Sequence, residues 1–176
     1  FDIKNVHTIK NYVGYITDSF VALPLSRFSY KLKEQYIAPR KSYSADTGII
    51  TELAFQFSPN AGAIMENIVF LELERRRQYS AAKEEIYYWQ DARNKEVDFV
   101  LKKGKKVTSL IQAAYGLEDY NTREREIKSI LKASRELRCD DLAVITRHDE
   151  GEEKVGGKTV KIIPLYKFLL FPGHSI

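Results

Sequence analysis

The chain has 176 residues and a mass of 20.4 kDa, with 28 Lys and Arg against 24 Asp and Glu, a net charge of +4 and a pI near 9.0. At 44% hydrophobic, 12% aromatic and 30% charged, with 9 Gly and 5 Pro, the composition is that of a folded globular chain and excludes a disordered or fibrous one. The single Cys139 excludes an intrachain disulfide, and no apolar run approaches the ~18 residues of a membrane span, so the expectation is a soluble cytoplasmic protein with no membrane partner. A chain of this size removes roughly 70% of its unfolded surface from water and needs no structural metal to hold it. It begins at Phe1, inside a helical pattern, and reads as a fragment of something longer.

Val6, Ile9, Val13, Ile16 and Phe20 recur at spacings of three and four, which predicts an amphipathic helix over 5–20 with these side chains as its core face. From Val21 to Ser44, short apolar and aromatic groups broken by Pro24 and Pro39 predict a helix followed by a small hairpin. A short helix over 48–57 should stop at the turn signal Ser58-Pro59-Asn60. A long helix should then run from Ala61 to about Arg77, ending in Arg75, Arg76 and Arg77, where cations suit the helix dipole. Three strands follow, over 85–89, 96–101 and 107–114, the last two joined by a turn at Lys102-Lys103-Gly104-Lys105. Asn121, followed by Glu124, is a capping signature for a helix with Ile127, Ile130, Leu131, Ser134 and Leu137 on its core face. Strands over 142–146 and 159–165 and a short helix over 166–171 complete a mixed α/β layer fold.

Glu66 is the first residue whose chemistry stands out, because its helical neighbours are Ala63, Val69, Phe70 and Leu73. A carboxylate on an apolar stripe requires a partner: a metal, a basic side chain or a backbone donor. Asp98 is the second. Alternation along Glu96-Val97-Asp98-Phe99-Val100-Leu101 puts Val97, Phe99 and Leu101 on one face and Glu96, Asp98 and Val100 on the other, although Asp is depleted in strands. On the next strand Gln112 and Ala114 point the same way, and a hairpin brings Asp98 and Gln112 within reach of one divalent ion, with Glu66 approaching from the helix.

These residues carry a resemblance. Met65 to Leu73, the strand Glu96-Val97-Asp98-Phe99-Val100 and then Leu110-Ile111-Gln112 resemble the carboxy-terminal domain of archaeal-type AAA ATPases, a domain of unknown function similar to the PD-(D/E)xK, restriction-endonuclease-like nucleases. Upstream, the stretch from Thr8 to Val13 and the stretch from Ala38 to Gly48 are similar to a winged-helix-like segment that precedes that domain. Ile163 to Leu170 looks like the family's ending. The resemblance implies a partial winged-helix element over 1–47 and a restriction-endonuclease-like domain over 48–176, with the ATPase, and any ATP, in an upstream part of the polypeptide. It also implies Mg²⁺-dependent phosphodiester hydrolysis by a helix Glu, a strand Asp and a (D/E)xK pair. Glu66 and Asp98 match the first two, but the pair reads Gln112-Ala113-Ala114, so one acid has become an amide and the Lys is missing at Ala114. Losing one such electrostatic group costs on the order of 10² to 10³ in rate.

The expected function is therefore a nucleic-acid- or partner-binding module with a degenerate nuclease-like site. One alternative is an active nuclease with Glu66, Asp98 and Gln112 as metal ligands and a cation migrated from the following helix, Arg123, Arg125 or Lys128. Another is a scaffold through which the ATPase recognises a protein. For nucleic acid, Tyr30-Lys31-Leu32-Lys33 with Arg40 and Lys41 is the candidate phosphate contact, since wings of winged helices grip the backbone in this way. Glu152 to Thr159 ends like a phosphate-binding P-loop but runs into Val160, Ile162 and Ile163, which predicts a β-turn. Three scattered histidines and one cysteine give no zinc pattern.

Overall fold

The computed structural model describes residues 5–54, 61–80 and 83–171. Helix α1 (Val6–Asp18) opens at Asn5, whose side chain accepts from the backbone N–H of His7. The helix forms as its periodicity predicts, but the face expected to enter the core does not: Ile9, Val13 and Ile16 are exposed, and Phe20 just beyond it is 73% exposed. Strand β1 (Ala22–Leu25) pairs antiparallel with β2 (Lys41–Ser44). The expected small hairpin is corrected here, because helix α2 (Leu32–Ile37) separates the two strands in sequence. Pro39 disfavours helical geometry at Ala38, which is extended, and so ends α2. Helix α3 (Thr47–Ala54) follows, and the Ser58-Pro59-Asn60 signal lies outside the described residues.

Helix α4 (Ala61–Tyr79) lies against a six-stranded mixed sheet of β3 (Glu84–Gln90), β4 (Glu96–Lys103), β5 (Lys106–Ala114), β6 (Leu142–Thr146), β7 (Gly151–Val155) and β8 (Lys158–Pro164), in spatial order β3-β4-β5-β6-β8-β7. Pairing is antiparallel through β3, β4 and β5, parallel from β5 through β6 to β8, and antiparallel between β8 and β7. Helix α5 (Tyr120–Leu137) makes the β5-to-β6 crossover, and α6 (Leu165–Leu170) closes the fold. The cap of α5 is Asp119, which accepts from the Thr122 N–H at 2.7 Å, and not Asn121. Strand β7 escapes the sequence reading because Glu152, Glu153 and Lys154 show no apolar alternation, as suits an edge strand facing water. Gly156 (φ 61°) and Gly157 (φ 76°) supply the tight left-handed turn into β8, so the P-loop-like run is a hairpin.

Two apolar layers enclose the sheet. Val97, Val100, Leu110 and Val144 pack under Ile127, Ile130 and Leu137 of α5, while Phe99, Leu101, Ile111 and Ile145 pack under Met65, Val69, Phe70 and Leu73 of α4. The strict alternation expected along β4 is thus broken: Val97 and Val100 share a layer. Between the Tyr87–Val100 and Trp89–Val97 pairs, β3 advances two residues and β4 three, a bulge centred near Asp98. A bulge re-aims the side chains on the strand that carries it. Here it delivers Asp98 toward α4.

Candidate functional site

The site is assembled from α4, β4, β5, α5 and β2. Glu66 lies one turn into α4, and the next residue, Asn67, is buried and clamps β2: its side-chain oxygen accepts from Ser44 N–H at 2.8 Å and its amide donates to Ser44 C=O at 2.9 Å. Tyr43 completes the clamp by stacking on Phe70, with ring centroids 4.2 Å apart. Alternation along β2 turns Lys41 to the same side as Tyr43, toward α4.

Lys41 Nζ is then 2.8 Å from Glu66 Oε1, 2.9 Å from Asp98 Oδ1 and 2.6 Å from Glu96 Oε1. Three carboxylates converge on one ammonium. The Tyr43 hydroxyl donates to Glu66 Oε1 at 2.7 Å. Burial opposes the charge on Lys41, but the carboxylates of Asp98 and Glu66 outweigh it and hold the ammonium well above its ordinary pKa. Burial raises the Tyr43 phenol, and the adjacent Glu66 charge raises it further, so it stays a donor. Asp98 is pushed up to about 7, by burial first and by the Glu66 charge, with Lys41 acting in the opposite direction.

Asp98 and Gln112 do meet, though by a different route from shared ligation of an ion. The β4–β5 ladder runs as far as Phe99–Ile111. At the next position side chains take over the bonding: Gln112 Oε1 accepts from the Asp98 N–H at 3.2 Å, and Asp98 Oδ2 accepts from the Ala113 N–H at 3.0 Å. The Gln112 amide donates to Glu126 Oε2 of α5 at 2.7 Å. Gln112 is therefore engaged on both ends. Ala114, where the resemblance implies a Lys, is buried and brings no charge. None of the three cations expected to migrate reaches Asp98, because Arg123 pairs with Glu153, Arg125 with Glu126 and Lys128 with Glu124. The cation in the centre is Lys41, from the opposite side of the site.

Sequence reasoning placed Lys41 on a nucleic-acid-contacting surface, whereas its side chain is only 20% exposed and saturated by acids. Lys31 and Lys33 are exposed on or beside α2, Lys31 paired with Glu34 at 2.9 Å, and Arg40 is exposed next to β2. Three contributors went unassigned: Glu96, Glu126 and Tyr43. Glu126 carried the signal that singled out Glu66, a carboxylate at helical spacing from Ile130 and Ala133.

An open cleft of about 930 Å³ adjoins the cluster, walled by the start of α4, the β3–β4 turn, the segment after β5 and the first half of α5. Its carboxylates, Glu66, Glu96, Asp98, Glu118, Asp119 and Glu126, outnumber the cations Lys95, Arg125 and Lys128, so its interior repels anions. The donor set does not fit a divalent ion as it stands. Among the described residues no group of three or more His, Cys, Asp or Glu side chains is arranged to hold one, because these carboxylates are turned to an ammonium.

A family model, DUF4143, described as a domain of unknown function, matches residues 61–168, which takes in α4, the sheet, α5 and the first part of α6. The chain is 38% identical over 168 residues to the uncharacterized protein MJ1544 of Methanocaldococcus jannaschii, an alignment covering 92% of this chain and 36% of that protein. The chain thus spans about a third of that relative's length. No solved structure matches it. No described helix is long and apolar enough to cross a membrane.

Proposed function

The chain belongs to the DUF4143 family, and from that premise we propose that it is a nucleic-acid-binding module of a longer, AAA-type ATPase, with a restriction-endonuclease-like body that does not cleave. The observation that carries the reading is Lys41, whose ammonium takes up the carboxylates of Glu66, Glu96 and Asp98 together. A divalent ion entering there must displace a cation held by three partners, and without the acid at Gln112 and the lysine at Ala114 it would find neither a complete ligand set nor a group to activate water. Any ATP hydrolysis belongs, on this reading, to sequence outside this chain. The winged-helix-like identity of α1, β1, α2 and β2 is part of the same proposal.

The test is incubation of the chain with supercoiled plasmid and short linear duplexes in Mg²⁺ and in Mn²⁺, beside Asp98→Ala and an EDTA control. We expect binding without cleavage. Cleavage that both controls abolish would sink the non-cleaving reading, and loss of that cleavage in Lys41→Ala would identify Lys41 as a lysine displaced from the Ala114 position to β2. A second reading, recognition of a protein, is favoured by the exposed apolar side chains Val13, Ile16 and Phe20 at α1 and Leu32, Tyr36 and Ile37 on α2. Association with a protein partner in the absence of nucleic acid separates it from the first.

A further inference from the structure

A second concavity, of about 460 Å³, lies beside the acidic cleft and shares Lys95 and Lys128 with it. Its charged lining is entirely cationic: Arg93 and Lys95 from the β3–β4 turn, and Lys128, Lys132 and Arg135 from α5. The three α5 residues stand at i, i+4 and i+7, so they form one row along the helix. The turn opposite is built onto that row. Asp91 Oδ1 accepts from the N–H groups of Arg93 at 2.7 Å and Lys95 at 2.8 Å, Asn94 takes a left-handed φ of 59°, and Asp91 Oδ2 pairs with Lys132. Lys128 and Lys132 also have acidic partners on their own helix, Glu124 and Glu136. Arg93, Lys95 and Arg135 form no ion pair among the described residues.

We propose that this basic ridge is the surface on which the domain holds a phosphodiester backbone of duplex DNA; the inference rests on the nucleic-acid-binding reading above and says where on the domain that binding occurs. The seven helical steps from Lys128 to Arg135 span about 10 Å, the rise of about three base pairs of duplex, so the row and the turn grip consecutive phosphates. Among the described residues no aromatic side chain lines the hollow, where Leu131 and Val155 are the only uncharged members, so these residues offer no platform for stacking unpaired bases. The acidic cleft alongside repels the same backbone and confines it to the ridge.

The experiment is fluorescence anisotropy of a short labelled duplex between about 50 and 200 mM salt. It compares wild type, Arg93→Ala/Lys95→Ala/Arg135→Ala, the charge-conserving Arg93→Lys/Arg135→Lys, and Lys31→Ala/Lys33→Ala, with circular dichroism checking each fold. Loss of three phosphate contacts flattens the log–log salt slope by about 2.7, at about 0.9 per contact, and weakens binding more than tenfold at the lower salt. The charge-conserving variant and the Lys31/Lys33 variant keep the wild-type slope. If the triple variant binds like wild type while Lys31→Ala/Lys33→Ala loses affinity, the ridge is refuted and the α2 segment takes its place, with the nucleic-acid reading intact. If wild type binds no duplex even at low salt, the nucleic-acid reading itself fails and the ridge with it.

Discussion

The acidic centre and the basic ridge lie against the same cleft and use the same residue types in opposite proportions. In the centre one lysine serves three carboxylates, and on the ridge five cations share three, Asp91, Glu124 and Glu136. Two aspartates seven positions apart make the contrast concrete. Asp98, enclosed by the sheet and α4 and facing another carboxylate, has a raised pKa. Asp91, bonded to Lys132 and to the backbone N–H groups of Lys95 and Arg93, is lowered to about 2. A lysine amid excess acid is a structural counter-ion, whereas a cation in excess of acid is available to a ligand.

The largest way to break this comparison is Lys41→Met, which leaves the carboxylates of Glu66, Glu96 and Asp98 converging with no cation among them. Removing one partner of such a cluster costs about 3–5 kcal/mol, read as a lowered denaturation midpoint at neutral pH. A loss below about 1 kcal/mol, the value of a surface pair, would mean that the centre is solvated like the ridge. Smaller in size is the pH dependence. Because the folded pKa of Asp98 lies above its ordinary value, the native state binds the extra proton: the contribution is fully present below about 4 and is lost as pH rises through about 7. Asp98→Asn, a mimic of the protonated acid, should therefore gain on wild type by up to about 1.4 kcal/mol per pH unit across that window. Asp91→Asn should show the reverse, forfeiting stability that wild type holds above about pH 4 and loses as pH falls toward 2. Equal slopes for the two variants in chemical denaturation would erase the distinction between the regions. The smallest effect belongs to Tyr43→Phe, which deletes the donor to Glu66 while keeping the stack on Phe70, and should cost about 1 kcal/mol.

Much of the scaffold was legible because it is written locally. The spacing of Val69, Phe70 and Leu73 marked the buried face of α4, and the β-branched runs gave β4, β5 and β6. The same reasoning found Glu66 as a carboxylate in need of a partner and offered a basic side chain among the possibilities, which Lys41 fills. It failed for β7, whose residues carry no apolar pattern, and for α1, whose apolar pattern is real but uncovered in this chain. Lys41 was misread as a surface cation because it stands 25 residues from Glu66 and 57 from Asp98 and follows an exposed Arg40. The available signal was alternation within Lys41-Ser42-Tyr43-Ser44, which puts the lysine on the side of the strand that Tyr43 buries.

By itself, then, the sequence determined the mixed α/β class, most of the element order and the two acids, Glu66 and Asp98, since helix and strand periodicity and the cost of a lone carboxylate on an apolar stripe depend on near neighbours alone. Tertiary structure decided which cation meets those acids, how the bulge at Asp98 turns it toward α4, and where five cations gather without enough acid to neutralise them. These are matters of distance through space: charges interact strongly across a few ångströms of low-dielectric interior and weakly across a Debye length of salt water, and separation along the chain has no bearing on either.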